Sequence, residues 1–221
     1  MSRTYGYSSQ VGEWMGAALL AESERAPVPG VRSVLQRLRA ALEASHRPSE
    51  LRISWTEYSA EEEELAHHEL EVYLIASWDE ILAQIERLRS TTSHQFAIAD
   101  LFLDLTTRVI EPTGDVWLPG SGELQLSIEQ PELHPTTIGV AYRTYIDAWL
   151  STTYDESHQP RSNHEVARAN RPALEAVLRS LHDLTGTTFE VGQSQTYPFA
   201  ITEHGFRDVD DLPTRWWTQG S

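Results

Sequence analysis

Apolar residues along this chain recur either at every second position or at every third to fourth, and the switch between the two periods marks the elements. The clearest switch lies between Glu61 and Arg89 (EEEELAHHELEVYLIASWDEILAQIERLR). Leu70, Val72, Leu74 and Ala76 fall on one side of an extended chain, with Glu69, Glu71, Tyr73 and Ile75 on the other. That is the pattern of a strand with one buried face. Ser77 to Glu80 then reads as a capping box, in which Ser77 and Glu80 satisfy each other's free amides. Ile81, Ile85 and Leu88 continue at helical spacing.

The same two periods organise the rest. Ala26 to Gly30 is a break, after which Val31, Leu35, Leu38 and Leu42 mark a helix that ends before Pro48, with Arg32, Arg37 and Arg39 on its outer side. Leu51 to Tyr58 alternates as a strand, and Glu61 to Glu64 joins it to the next. Phe96 to Ile110 is apolar on both sides at its start, as a central strand is, with Ala97, Ala99, Leu101, Leu103 and Leu105 on one face. Asp115 to Gln130 reads as a hairpin that turns at Pro119 to Gly122. Thr137 to Leu150 is rich in β-branched and aromatic residues and reads as a strand. Ser151 to Ser162 is a polar, mobile loop.

Ser162 to Glu165 opens a short helix, and Asn170 to Ala173 restarts one, because proline suits a first turn and not an interior. Leu174, Val177, Leu178, Leu181 and Leu184 form its stripe, and Gly186 stops it. Thr188 to Glu203 returns as one or two strands. The aromatic residues near the two termini (Tyr5, Tyr7, Trp14 and Trp216-Trp217) either anchor an interface or pack together over the sheet. Trp14 to Ala21 is an amphipathic or buried segment rather than a signal core, since Glu13 abuts it. The whole predicts one α+β domain over 1–221: a mixed, mostly antiparallel sheet with about three helices packed on one face.

Composition narrows the function. There is no cysteine and all 17 basic residues are arginine, which excludes disulfides, thiolate metal sites, cysteine nucleophiles, Schiff-base lysines and Walker-type phosphate loops. This usage fits a cytoplasmic protein. The 33 acids give a formal charge of −16, a field that repels nucleic acid and anionic membranes and favours a cationic partner. No stretch has the ~20 apolar residues of a membrane span.

Signatures of chemistry are sparse. His67 and His68 adjoin the acidic run, but neighbours on a strand point to opposite faces and no zinc motif is present, so neither metal nor cofactor is expected. His182-Asp183 and Glu203-His204 are the chance neighbours that a chain with nine histidines contains, and Asp100 and Asp104, about 13 Å apart on one face of a strand, form an edge or solvent-facing row rather than a catalytic dyad. No G-x-S-x-G or G-x-G-x-x-G occurs, and no catalytic residue is assigned.

The leading expectation is therefore an acidic protein-binding module. Glu61, Glu62, Glu63, Glu64, Glu69 and Glu71 steer and dock a basic partner, with Tyr73 or Trp78 as anchors. In length, acidity and lack of catalytic motifs the chain is similar to the diverse class of bacterial immunity proteins, which neutralise partner toxins. No residue motif carries that likeness. The alternatives are a metal-dependent or acid/base enzyme built from distant acids and histidines, and a structural or phage-associated subunit; a homo-oligomer is compatible with any of these.

Overall fold

The computed structural model describes residues 3–91, 94–128, 134–154, 159–192 and 201–206. Its centre is a seven-stranded antiparallel sheet formed by β1 (Tyr7–Leu19), β2 (His46–Tyr58), β3 (Glu64–Tyr73), β4 (Gln95–Glu111), β5 (Gly114–Ser127), β6 (Thr137–Ile146) and β9 (Glu190–Val191). The strands lie in the order β3-β2-β4-β5-β6-β1-β9. Three helices, α1 (Pro27–Glu43), α2 (Trp78–Thr91) and α3 (His164–Thr185), cover one face. Short hairpins β7–β8 (Thr152–Tyr154, Pro160–Ser162) and β10–β11 (Ile201–Thr202, Gly205–Phe206) complete it.

Alternation explains the layering. Leu51 and Ile53 of β2, Leu101, Leu103 and Leu105 of β4, Leu124 and Leu126 of β5, and Ile138, Val140 and Tyr142 of β6 are all buried toward the helices. Against them stand Val31, Val34, Leu35, Leu38 and Leu42 of α1, and Leu174, Val177, Leu178 and Leu181 of α3. Each such side chain contributes about 1.5–3 kcal/mol on burial. Ser77 Oγ accepts from Glu80 N (3.2 Å) as the box at α2 requires, while Glu80 Oε2 reaches back one residue further, to Ala76 N (3.0 Å).

Several expectations are corrected. Pro119 to Gly122 is not a hairpin turn: β5 runs straight through, and the extra residues form a bulge between Leu105↔Gly122 and Thr107↔Leu118. Gly120 supplies the left-handed φ of +61° that the bulge needs, and Ser121 Oγ caps Thr107 N at 2.9 Å. A second bulge, at Ala99, resets the alternation of β4, so Ile98 joins the core face beside Trp55 and Ala97 turns away. α3 is one helix of 22 residues with Pro172 inside it. Asn170, 1% exposed, fastens that stretch to β4: its Oδ1 accepts from Ile110 N and its Nδ2 donates to Ile110 O. The polar loop 151–162 contains the β7–β8 hairpin, and its middle, 155–158, lies outside the described residues, as does the Trp216-Trp217 tail.

The segment around Trp14 is strand β1, which pairs along its length with β6. Its small residues serve packing. A Cβ on Gly16 would lie 2.6 Å from the Thr185 side chain, so glycine is what lets the end of α3 rest on the sheet. Trp14 is fully buried under the β10–β11 hairpin, donates Nε1–H to Thr202 O at 2.7 Å and meets Phe206 edge-on.

Candidate functional site

The β2–β3 hairpin carries the acidic run and forms one edge of the sheet. Its tip, residues 59–63, is held by Ser59. Ser59 N donates to Glu63 O (2.8 Å), Glu62 N donates to Ser59 O (3.1 Å), and Ser59 Oγ accepts from the amides of Glu61 and Glu63. Glu62 takes a left-handed φ of +63° to close the turn. The side chains of Glu61, Glu62 and Glu63 point into solvent, and Glu64 starts β3 opposite Tyr58.

Along β3 the side chains alternate. Glu69, Glu71 and Tyr73 stand on the face without helices, opposite Ser54, Arg52 and Glu50 of β2. Leu70 and Val72 face the helices and are half-buried. Tyr73 is 62% exposed and its hydroxyl donates to Glu71, which raises the phenol above its ordinary value. β3 ends sooner than its apolar pattern suggests: Leu74 leaves it with φ +59° and is 92% exposed. A left-handed leucine costs about 1–3 kcal/mol. Leu65, the extra residue of a bulge against β2, is half exposed at the other end.

The expected site residues thus separate. Glu61, Glu62, Glu63, Glu64, Glu69, Glu71 and Tyr73 form one continuous exposed strip. Trp78 does not join them: it is 5% exposed, at the start of α2 against α1, so its indole offers no docking surface. His67 and His68 fall on opposite faces. His68 stacks on Trp55 with ring centroids 5.2 Å apart, and His67 lies beside Glu69.

From Glu57 to Leu74 the sequence has seven acids and no arginine. Several arginines elsewhere are engaged: Arg3 with Glu111, Arg32 with Glu86, Arg37 with Glu24, Arg39 with Glu43 and Asp79, and Arg108 with Asp115. Among the described residues, none of the six strip glutamates forms an ion pair with an arginine.

A second charged group lies on the same helix-free face, nearer the middle. One cross-strand row runs Tyr73, Glu50, Asp104, Glu123, Arg143, Glu13 from β3 to β1. Arg143 sits between two glutamates, Nε 2.6 Å from Glu13 and Nη1 2.5 Å from Glu123, and adds a bond to Gln125 at 3.0 Å. These side chains are only 13–21% exposed. Arg52, from the next row, lies 3.8–3.9 Å from Glu50, Asp104 and Glu123, and its guanidinium rests over Phe102. Burial raises the Asp104 carboxyl, Arg52 opposes that, and Glu50 and Glu123 add to it. Burial and then Glu123 raise the Tyr145 phenol. Both central glutamates bond to the one Arg143 guanidinium, so the group forms a structural ion network. The sequence did not disclose it, because which charges meet depends on the strand order.

Two further clefts lie among the described residues. One of about 740 Å³ at the start of α3 is lined by Arg3, Thr4, Tyr5, Glu111, Asn163 and His164, among others. Its polar groups serve one another: Arg3 and Tyr5 both donate to Glu111, and Thr4 donates to Asn163. The other, of about 460 Å³, gathers Glu175, Arg179, His182, Glu203 and His204. There His204 and Glu203 form an exposed surface pair, and His182 packs edge-on against Phe189. No helix among the described residues is long and apolar enough to cross a membrane. Comparison of the chain with protein-family models, curated proteins and solved structures found no match to any of them.

Proposed function

We propose that this protein is a cytoplasmic binding module that docks a basic partner protein through the acidic strip of its β2–β3 hairpin, acting as an inhibitor of the immunity or antitoxin type. One observation carries the reading: the glutamates at 61–64, 69 and 71 are exposed and lack arginine partners among the described residues, whereas Glu13, Glu24, Glu86, Asp115 and Glu123 each pair with an arginine. Uncompensated charge on a surface raises encounter rates with an opposite charge and disfavours like-charged partners. Because the strip is exposed, its field is screened over ~8 Å at physiological salt, so association by this route weakens as salt rises. Tyr73 and Leu74, at the end of the strip, supply the apolar contact that charge alone lacks.

Selection from a random peptide library on the immobilised protein tests this. Enriched peptides are expected to be net positive and to lose at least ~10-fold affinity for a variant carrying Gln at 61, 62, 63 and 64. Neutral binders, or basic binders that ignore the four substitutions, would remove the proposal.

A further inference from the structure

The hairpin is more than a charged surface, because β3 is the last strand of the sheet. It bonds to β2 on one side, and among the described residues no element pairs with its other side. Every second residue of an edge strand turns its N–H and C=O outward, a template on which another strand can form. The register with β2 is regular from Ala66 to Tyr73, eight residues or ~26 Å at ~3.3 Å per residue. The bulge at Leu65 and the left-handed Leu74 bound that length.

The side chains specify what would fit. His67, Glu69, Glu71 and Tyr73 occupy the helix-free face, while His68, Leu70 and Val72 occupy the other. A strand added beside β3 places its residues ~4.5–5.5 Å from these, alternating between the same two faces. Its residues beside Glu69 and Glu71 are best cationic, and those beside Leu70 and Val72 best apolar. A second copy of β3 fits poorly. Each strand carries Glu64, Glu69 and Glu71 with no arginine, so a self-pair would bring six carboxylates together without a counter-charge.

We infer that β3 takes up an extended segment of a partner protein as an additional strand, a segment in which Arg or Lys alternates with β-branched or other apolar residues. This rests on the acidic-docking reading and adds to it the geometry of strand addition. The backbone supplies affinity in this mode, and the alternation supplies specificity.

The test uses the full chain and three kinds of synthetic probe, with affinities read by isothermal titration calorimetry. The first is acetyl-Thr-Val-Arg-Val-Arg-Val-Arg-Val-Thr-amide. The second has the same composition with its arginines in one block. The third is a pair of N-methylated forms of the first, one methylated on its arginine amides and the other on its valine amides. Because alternate amides point to opposite edges of a strand, strand addition predicts that one methylated form keeps its affinity. The other loses ~10–100-fold, the equivalent of two or so backbone hydrogen bonds. The blocked peptide binds ~10-fold or more weakly than the alternating one. Equal binding by the alternating and blocked peptides, with both methylated forms unaffected, overturns strand addition and leaves acidic docking standing. Binding that is absent, or that is unchanged in a variant with Glu69→Gln and Glu71→Gln, overturns both.

Discussion

Two charged regions share the helix-free face of this sheet, and they differ in every property that bears on function. Around Arg143 the charges alternate in sign across neighbouring strands, touch at 2.5–2.6 Å and are largely withdrawn from water. On the β3 edge the charges share one sign, stand in solvent and meet no arginine among the described residues. The first arrangement consumes its own electrostatics, because a half-buried carboxylate must be matched within the fold. The second leaves its field uncompensated in solvent. Acidity in the composition therefore does not single out a surface; the absence of local compensation sets the β3 edge apart from the centre.

The largest expected effect comes from breaking the compensated region. Arg143→Met leaves Glu13 without a counter-charge and Glu123 with only Arg52, 3.8 Å away, and should cost about 3–5 kcal/mol. In a chain of this length that lowers the thermal midpoint by about 6–20 °C. A midpoint unchanged by the substitution would mean that the network contributes nothing to the fold.

The covered face supplies a second effect, with a pH signature. His46 is fully buried, with its ring nitrogens 2.9 Å from Ser45 Oγ and 3.0 Å from Tyr142 Oη, and burial pushes it down to about 4. Because the folded value lies below the unfolded one of about 6.5, the unfolded chain binds the proton first as pH falls. The stability held above pH ~6.5 is therefore lost between there and pH ~4, by ~3 kcal/mol. Urea titrations across that window should show the loss in the wild type and a shallower slope in His46→Gln. Equal slopes would place the acid sensitivity elsewhere.

Asp104 refines the picture within the network. Burial and the nearby glutamates raise its carboxyl, so its ionised form disfavours the fold. That penalty is absent below the unfolded carboxylate value and sets in as pH rises through the raised folded one. Asp104→Asn should thus raise the urea midpoint at neutral pH and lose that advantage in acid. A lowered midpoint at neutral pH would show that the Arg52 contact outweighs burial.

The smallest effect is expected on the β3 edge. Replacing Glu61, Glu62, Glu63 and Glu64 together by Gln should leave stability within about 0.5 kcal/mol, because exposed positions without partners rarely carry the fold. A larger loss would give these residues a structural role and blur the contrast with the Arg143 region.

Much of the architecture was legible because it rests on local periods: the helical stripes of α1, α2 and α3, the alternation of β2, β4 and β6, and the Ser77 and Glu80 cap. What escaped depends on distant partners. β1 is poor in β-formers at Gly16, Ala17 and Ala18, and it is a strand because β6, more than a hundred residues later, pairs with it. Pro119 to Gly122 has the residues of a turn, yet β4 pairs with β5 on both sides of it, at Leu118 and Gly122, and holds it as a bulge. Pro172 reads as a helix start, yet Asn170 clamps that turn to Ile110 and the helix continues. In the site, the glutamates and Tyr73 were visible from alternation alone. The burial of Trp78 and the exposure of Leu65 and Leu74 were not, since they follow from where α2 docks and where β3 ends.

The central claim is that the uncompensated edge, and not the compensated centre, meets the partner. Backbone amide shifts of the isotope-labelled protein, followed while the alternating Arg-Val peptide is added, test it most directly. The account predicts perturbations concentrated in 59–74 and the facing residues of β2, with the amides of Glu13, Glu123 and Arg143 unmoved. Perturbations centred on Glu13, Glu123 and Arg143, with the hairpin silent, would contradict it.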